Sequence, residues 1–174
     1  MKVSEIGSAV KVKGVILEAF INGFGTFEEK AINLLENKGI KNIKEDGWYS
    51  AREFLEVLND TKDSTLKVVG MKVPENAEVP NIDSVESALG LIDKAYQMNH
   101  RGGAIGSYEF TKTGDKKGKM VCNNPYPCEF DQALIKSFMK KFQETGLISV
   151  PSVRHAEGGC RKKGADSCTY NIRW

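Results

Sequence analysis

The apolar side chains change their spacing once along this chain, at Arg101-Gly102-Gly103, and that change limits the folds open to it. Before that point they recur every three or four residues, the period of a helix lying on a core. Val12 to Phe24 carries Val12, Val15, Ile16, Ala19, Phe20 and Gly23 on one face, and Gly25 stops the helix. Thr26 caps a second helix, whose first turn holds Glu28 and Glu29 and whose apolar face is Phe27, Ala31, Leu34 and Leu35. Ser50 followed by Glu53 is a capping-box pattern ahead of Phe54, Leu55 and Leu58. Leu66 to Val79 reads as a connector marked by Pro74 and Pro80. Asp83 or Ser84 opens a further helix to about Asn99, burying Val85, Ala88, Leu89, Ile92, Ala95 and Tyr96.

Beyond Gly103 the spacing is that of strands. Ala104 to Thr111 and Lys119 to Cys122 flank the turn Gly114 to Gly118, and Asn124-Pro125-Tyr126-Pro127 breaks the chain. A helix follows from about Glu129 to Glu144, with Phe130, Leu134, Phe138 and Phe142 four residues apart, and Gly146 ends it. Leu147 to His155 and Ser167 to Trp174 are the last two strands. The expected fold is α+β: a helical N-terminal half packed on an antiparallel four-stranded sheet with strand-strand-helix-strand-strand order. Residues 1–174 are expected to form a single ligand-binding domain, mainly helical over 1–100 and carrying the sheet, a helix and a terminal hairpin over 101–174.

The formal charge is +2, and neither the Lys112–Lys119 run nor Arg161-Lys162-Lys163 is joined by an aromatic stacking platform, so nucleic acid is not an expected partner. No apolar run reaches the ~20 residues of a membrane span, and the first residues lack the apolar core of a secretory signal. The expected location is cytoplasmic, where thiols stay reduced.

All four cysteines lie in the last third of the chain: Cys122, Cys128, Cys160 and Cys168. The loop between Cys160 and Cys168 is rich in Gly and Lys and can fold both sulfurs onto one ion. Glu157 precedes Cys160 by one tight turn at Gly158-Gly159. Cys128 stands at a helix start, where free backbone N–H groups favour a thiolate. Cys128, Glu157, Cys160 and Cys168 are therefore the expected metal ligands, of a closed tetrahedral zinc that pins the last hairpin to the helix. Cys122 and His155 stand as substitutes for Cys128 and Glu157. Buried free cysteines or a disulfide pair are the competing explanations.

His155-Ala156-Glu157-Gly158-Gly159-Cys160, then Gly164, then Cys168-Thr169-Tyr170-Asn171-Ile172 resembles the Glu-x-x-Cys…Gly…Cys-x-(Phe/Tyr)-x-Ile ending of 4-vinyl-reductase-type, hydrocarbon-binding domains. These belong to the ligand-binding superfamily shared with TRAPP subunits and haem nitric-oxide-binding domains. The resemblance covers about the last fifty residues and implies zinc on the same four residues beside a closed apolar cavity. The segment from Cys128 to Glu157 looks several residues longer than in the aromatic sensors of that family.

A small apolar or aromatic ligand is the expected partner, lined by Trp48, Tyr96, Tyr108, Phe110 and Phe138, together with Phe130 and Leu134. His100 is the polar group embedded among them, available to bond a ligand hydroxyl or to ligate haem iron. With only two histidines and no GxGxxG or GKS/T loop, hydrolytic and nucleotide chemistry have little support. The Tyr49-Ser50-Ala51-Arg52 run has the wrong spacing for a Tyr-x-Ser-x-Arg haem-propionate clamp. The expected function is small-molecule binding or sensing, reported through a homodimer or an effector protein. The alternatives are a haem-based gas sensor using His100, and a reductase or accessory enzyme of tetrapyrrole metabolism.

Overall fold

The computed structural model describes residues 1–76, 84–142 and 150–174. Within them lie six helices and two antiparallel sheets, an α+β fold. The second sheet carries the expected order. β4 (Ser107–Gly114) and β5 (Lys117–Asn123) form a hairpin, α6 (Cys128–Lys141) follows, and β6 (Ser152–His155) and β7 (Cys168–Arg173) return to complete the strand order β4-β5-β7-β6. The register sets Tyr108 opposite Cys122, Cys122 opposite Cys168 and His155 opposite Tyr170. The expected helix end at Gly146 and the start of the last-but-one strand at Leu147 lie outside the described residues.

The N-terminal half contains a sheet that helical spacing does not reveal. β1 (Lys11–Lys13) is central to it, flanked by β2 (Trp48–Ser50) and β3 (His100–Arg101). Val12 pairs with Tyr49 on one side and His100 on the other, so the expected helix from Val12 begins instead at Gly14. There α1 (Gly14–Asn22) finds partners for its first amides in the loop before β2: Gly14 N–H donates to Gly47 O and Val15 N–H to Glu45 O. Strands of two or three residues leave no readable alternation, and their pairing is made entirely by segments distant in sequence.

α2 (Glu28–Asn37) and α3 (Ala51–Asn59) form over the expected stretches, Ile16, Leu17, Phe20, Leu35, Phe54, Leu55 and Leu58 meeting in one core. The expected caps do not form: α2 begins after Phe27, which is exposed and not on the buried face, and the Ser50 side chain makes no capping hydrogen bond at the start of α3. α4 (Asp63–Asn76) replaces the expected connector and carries Pro74 in its last turn. Pro74 offers the last turn no amide, while its carbonyl, one of those a helix C-terminus leaves without an intrahelical donor, accepts from Lys141 Nζ at 2.6 Å. α4 packs closely on α6 because Gly70 has no Cβ; a Cβ there would come within 2.5 Å of the Phe130 carbonyl. α5 (Val85–Met98) is capped by Ser84, whose hydroxyl accepts from Ser87 N–H at 3.1 Å. No described helix is long and apolar enough to cross a membrane.

Candidate ligand cavity and the thiol cluster behind it

A cavity of about 180 Å³ opens where α1, α4, α5 and α6 approach the β4 strand. Its inner wall is Ile16, Val73, Ile92, Tyr96, Tyr108, Tyr126, Phe130, Leu134 and Phe138, and Lys13, Val15, Glu45, Ala95, Met98 and Asn99 complete the lining. The periodicity that builds α6 is what aims Phe130, Leu134 and Phe138 inward together. Of the residues expected to hold a ligand, Tyr96, Tyr108 and Phe138 line this space. Trp48, Phe110 and His100 do not. Trp48 lies under the Arg101 guanidinium at 4.2 Å, on the N-terminal sheet. Phe110 packs 6.1 Å from Trp174 on the C-terminal sheet. His100 sits behind the wall, 9% exposed. Spacing along the chain does not single out Tyr126 or Ile16, the first because it sits in a proline-rich break, the second because it reads as ordinary core.

The three tyrosines are held rigidly. Tyr96 OH donates to Ile105 O at 2.8 Å, and Tyr108 OH donates to Asp131 Oδ1 at 2.5 Å. Tyr126 is placed by its own backbone amide, which donates to Asn124 Oδ1 at 2.9 Å, and its ring lies 4.9 Å from that of Phe130. Its hydroxyl meets His100 Nε2 at 2.8 Å, while His100 Nδ1 meets the Tyr96 carbonyl at 2.7 Å. A carbonyl can only accept, so Nδ1 carries the proton and Nε2 accepts from Tyr126. Burial lowers the His100 pKa to about 4, so the ring is neutral at pH 7.

Behind Tyr108 is a buried charged pair. Asp131, fully buried, accepts from Tyr108, from Asn124 Nδ2 at 3.3 Å and from Arg161 at 2.9 Å. Burial pushes its carboxyl up to about 7, with Arg161 and the Tyr108 and Asn124 hydrogen bonds pulling the other way. Arg161 also donates to the carbonyls of Cys122, Asn124 and Tyr126, so one side chain ties the loop after β6 to the cavity wall.

That loop brings the cysteines together. Cys128 Sγ lies 3.1 Å from Cys168 Sγ and 3.8 Å from Cys160 Sγ. The three sulfurs and a His155 ring nitrogen all fall within 4.8 Å of one another, a spacing that could hold a metal ion. His155, not Glu157, supplies the fourth donor; Glu157 is exposed one turn away. Cys122, across the sheet from Cys168, lies outside the set of four. The hydrogen bond from Cys128 holds the Cys168 thiol below its ordinary range despite burial, with Arg161 and His155 acting in the same direction, so the pair shares one proton more readily than two.

No family model and no curated protein matches the sequence. Solved structures do match the fold. An H-NOX protein from S. oneidensis in the Fe(II)NO ligation state is 15% identical, over 92% of this chain and 98% of that one, with a TM-score of 0.68. An unliganded Fe(II) H-NOX protein from K. algicida is 13% identical, over 92% of this chain and 95% of that one, with a TM-score of 0.61. A structure described by heme redox potential and porphyrin distortion is 15% identical, over 93% of this chain and 94% of that one, with a TM-score of 0.60. These neighbours overturn zinc as the expected cofactor: the proteins that share the fold are described by iron(II) and heme. At this identity they show the fold alone, and give 4-vinyl reductases and TRAPP subunits no support in particular.

Haem does not fit the residues as this chain arranges them. His100, the one histidine near the cavity, neither lines it nor has a ring nitrogen free for iron. The likeness is one of architecture, and this chain has the H-NOX fold.

Proposed function

We propose that this chain is a small-molecule-sensing domain that holds its ligand in the cavity between α1, α4, α5 and α6. The observation that carries this reading is the cavity itself: aromatic-walled and tied by Tyr108, Asp131 and Arg161 to the loop holding the thiols. A ligand pressing on Tyr108 or Tyr126 shifts partners of Arg161, and the loop after β6 is the surface on which a partner protein or second copy would read the change. Native mass spectrometry of freshly purified protein, with thermal shift against a panel of small apolar molecules, tests the reading. A co-purifying small molecule, or a panel member that raises Tm in a saturable way, is the expected result; a panel with no such member refutes it.

The iron(II) ligation states of the fold's neighbours favour a second reading, a haem-based gas sensor. Titration with hemin decides it: a saturable Soret band at one equivalent supports haem.

A further inference from the structure

We infer that His100 is a positioning residue, which seats the Tyr126 ring as a wall of the cavity, and that the cavity takes its ligand directly, without haem. The inference rests on the ligand-sensing reading above and narrows it. Both His100 ring nitrogens are occupied: Nδ1–H donates to the Tyr96 carbonyl at 2.7 Å and Nε2 accepts from Tyr126 OH at 2.8 Å. The ring is clamped as well, with the Tyr96 ring centroid at 4.5 Å and that of Tyr126 at 5.8 Å. Turning it toward the cavity would break two hydrogen bonds and leave the buried Tyr126 hydroxyl without its partner, while the Tyr96 carbonyl would keep only the Asn99 amide at 3.2 Å.

The wall that His100 supports is apolar for a definite reason. Tyr96, Tyr108 and Tyr126 all line the cavity, yet each hydroxyl is engaged elsewhere, on Ile105 O, Asp131 and His100. With their hydroxyls engaged, the rings serve the cavity chiefly as apolar faces, beside Lys13, Glu45 and Asn99 at the rest of its lining. A dry cavity of about 150 Å³ in another protein is known to hold benzene, so 180 Å³ suits a one-ring or compact two-ring apolar molecule. Tyr126 sets the shape of that space, because its ring stacks against Phe130 and its hydroxyl has no described partner except His100.

Hemin, benzene and indole are the probes, titrated into wild type, His100→Ala, His100→Gln and Tyr126→Phe, with absorbance, calorimetry and thermal shift as readouts. The expected result is no saturable Soret band in any of the four proteins, together with saturable binding of benzene or indole to wild type. The benzene-to-indole preference then changes about fivefold in His100→Ala and in Tyr126→Phe, the worth of one lost hydrogen bond. His100→Gln restores the wild-type preference, since an amide can accept from Tyr126. Tyr126→Phe keeps the ring and the histidine, so the question survives if His100→Ala fails to fold. A one-equivalent Soret band lost in His100→Ala overturns the inference and leaves the sensing reading standing. An unchanged benzene-to-indole preference in both variants overturns the positioning role. Absence of binding by every probe, hemin included, overturns the sensing reading and this inference with it.

Discussion

Two buried groups dominate at the residue scale, and they respond to pH in opposite directions. His100 has a folded-state pKa of about 4, against 6.5 when exposed. Between those values the unfolded chain takes up a proton that the folded chain refuses. The stabilisation it represents is therefore complete above pH 6.5, falls as pH drops toward 4 and changes no further below that. Asp131 behaves oppositely: burial raises it from 3.8 to about 7, so its contribution is complete below 3.8 and is lost as pH rises through 7. Subtracting the unfolding free energy of His100→Gln from that of wild type cancels the Asp131 effect. The difference should shrink by about 3 kcal/mol between pH 7 and pH 4, measured by urea denaturation; a flat difference means that the histidine is not buried as described. Arg161→Met should be more damaging than a surface charge change, by about 3–5 kcal/mol, because the fully buried Asp131 and the carbonyls of Cys122 and Tyr126 lose their shared donor. Adding Asp131→Asn should recover part of that loss in the same denaturation experiment.

At the scale of elements, glycine marks which helices touch and which do not. Gly70 lies where α4 crosses α6, and a Cβ there would meet the Phe130 carbonyl at 2.5 Å. Gly70→Ala should therefore destabilise by about 1–3 kcal/mol by forcing the helices apart. Gly90 is exposed inside α5, and a methyl group added to it would meet nothing within 4 Å, so Gly90→Ala should stabilise by about 0.5–1 kcal/mol through helix propensity alone. Thermal denaturation of both variants checks the pair; equal effects would mean that α4 and α6 are not in close contact. α4 itself is not legible in the sequence, since Pro74 near its end and weak amphipathicity make Leu66 to Val79 look like a linker. Packing of Leu66, Val69 and Val73 against the core makes it a helix despite those local signals.

For the whole molecule, ligand binding and folding are one equilibrium. A molecule that enters the cavity and not the unfolded chain adds about 2.7 kcal/mol at a hundred times its Kd, which for a chain of this size raises Tm by roughly 5–10 °C. Leu134→Trp, which places bulk on the cavity wall, should abolish that shift with little change in the ligand-free Tm, read by differential scanning fluorimetry. The long amphipathic helices and the succession of strands and helix along the C-terminal half follow from local periodicity and turn chemistry, which neighbours in sequence determine. The N-terminal sheet, the choice of His155 over Glu157 and the fate of His100 do not. Those depend on which distant backbone completes a two- or three-residue strand, and on which side chain a glycine-rich turn swings inward. For the histidine they also depend on whether a buried ring nitrogen meets a tyrosine or empty space. Long-range hydrogen bonds and close packing settle such questions, and spacing along a chain carries no record of them.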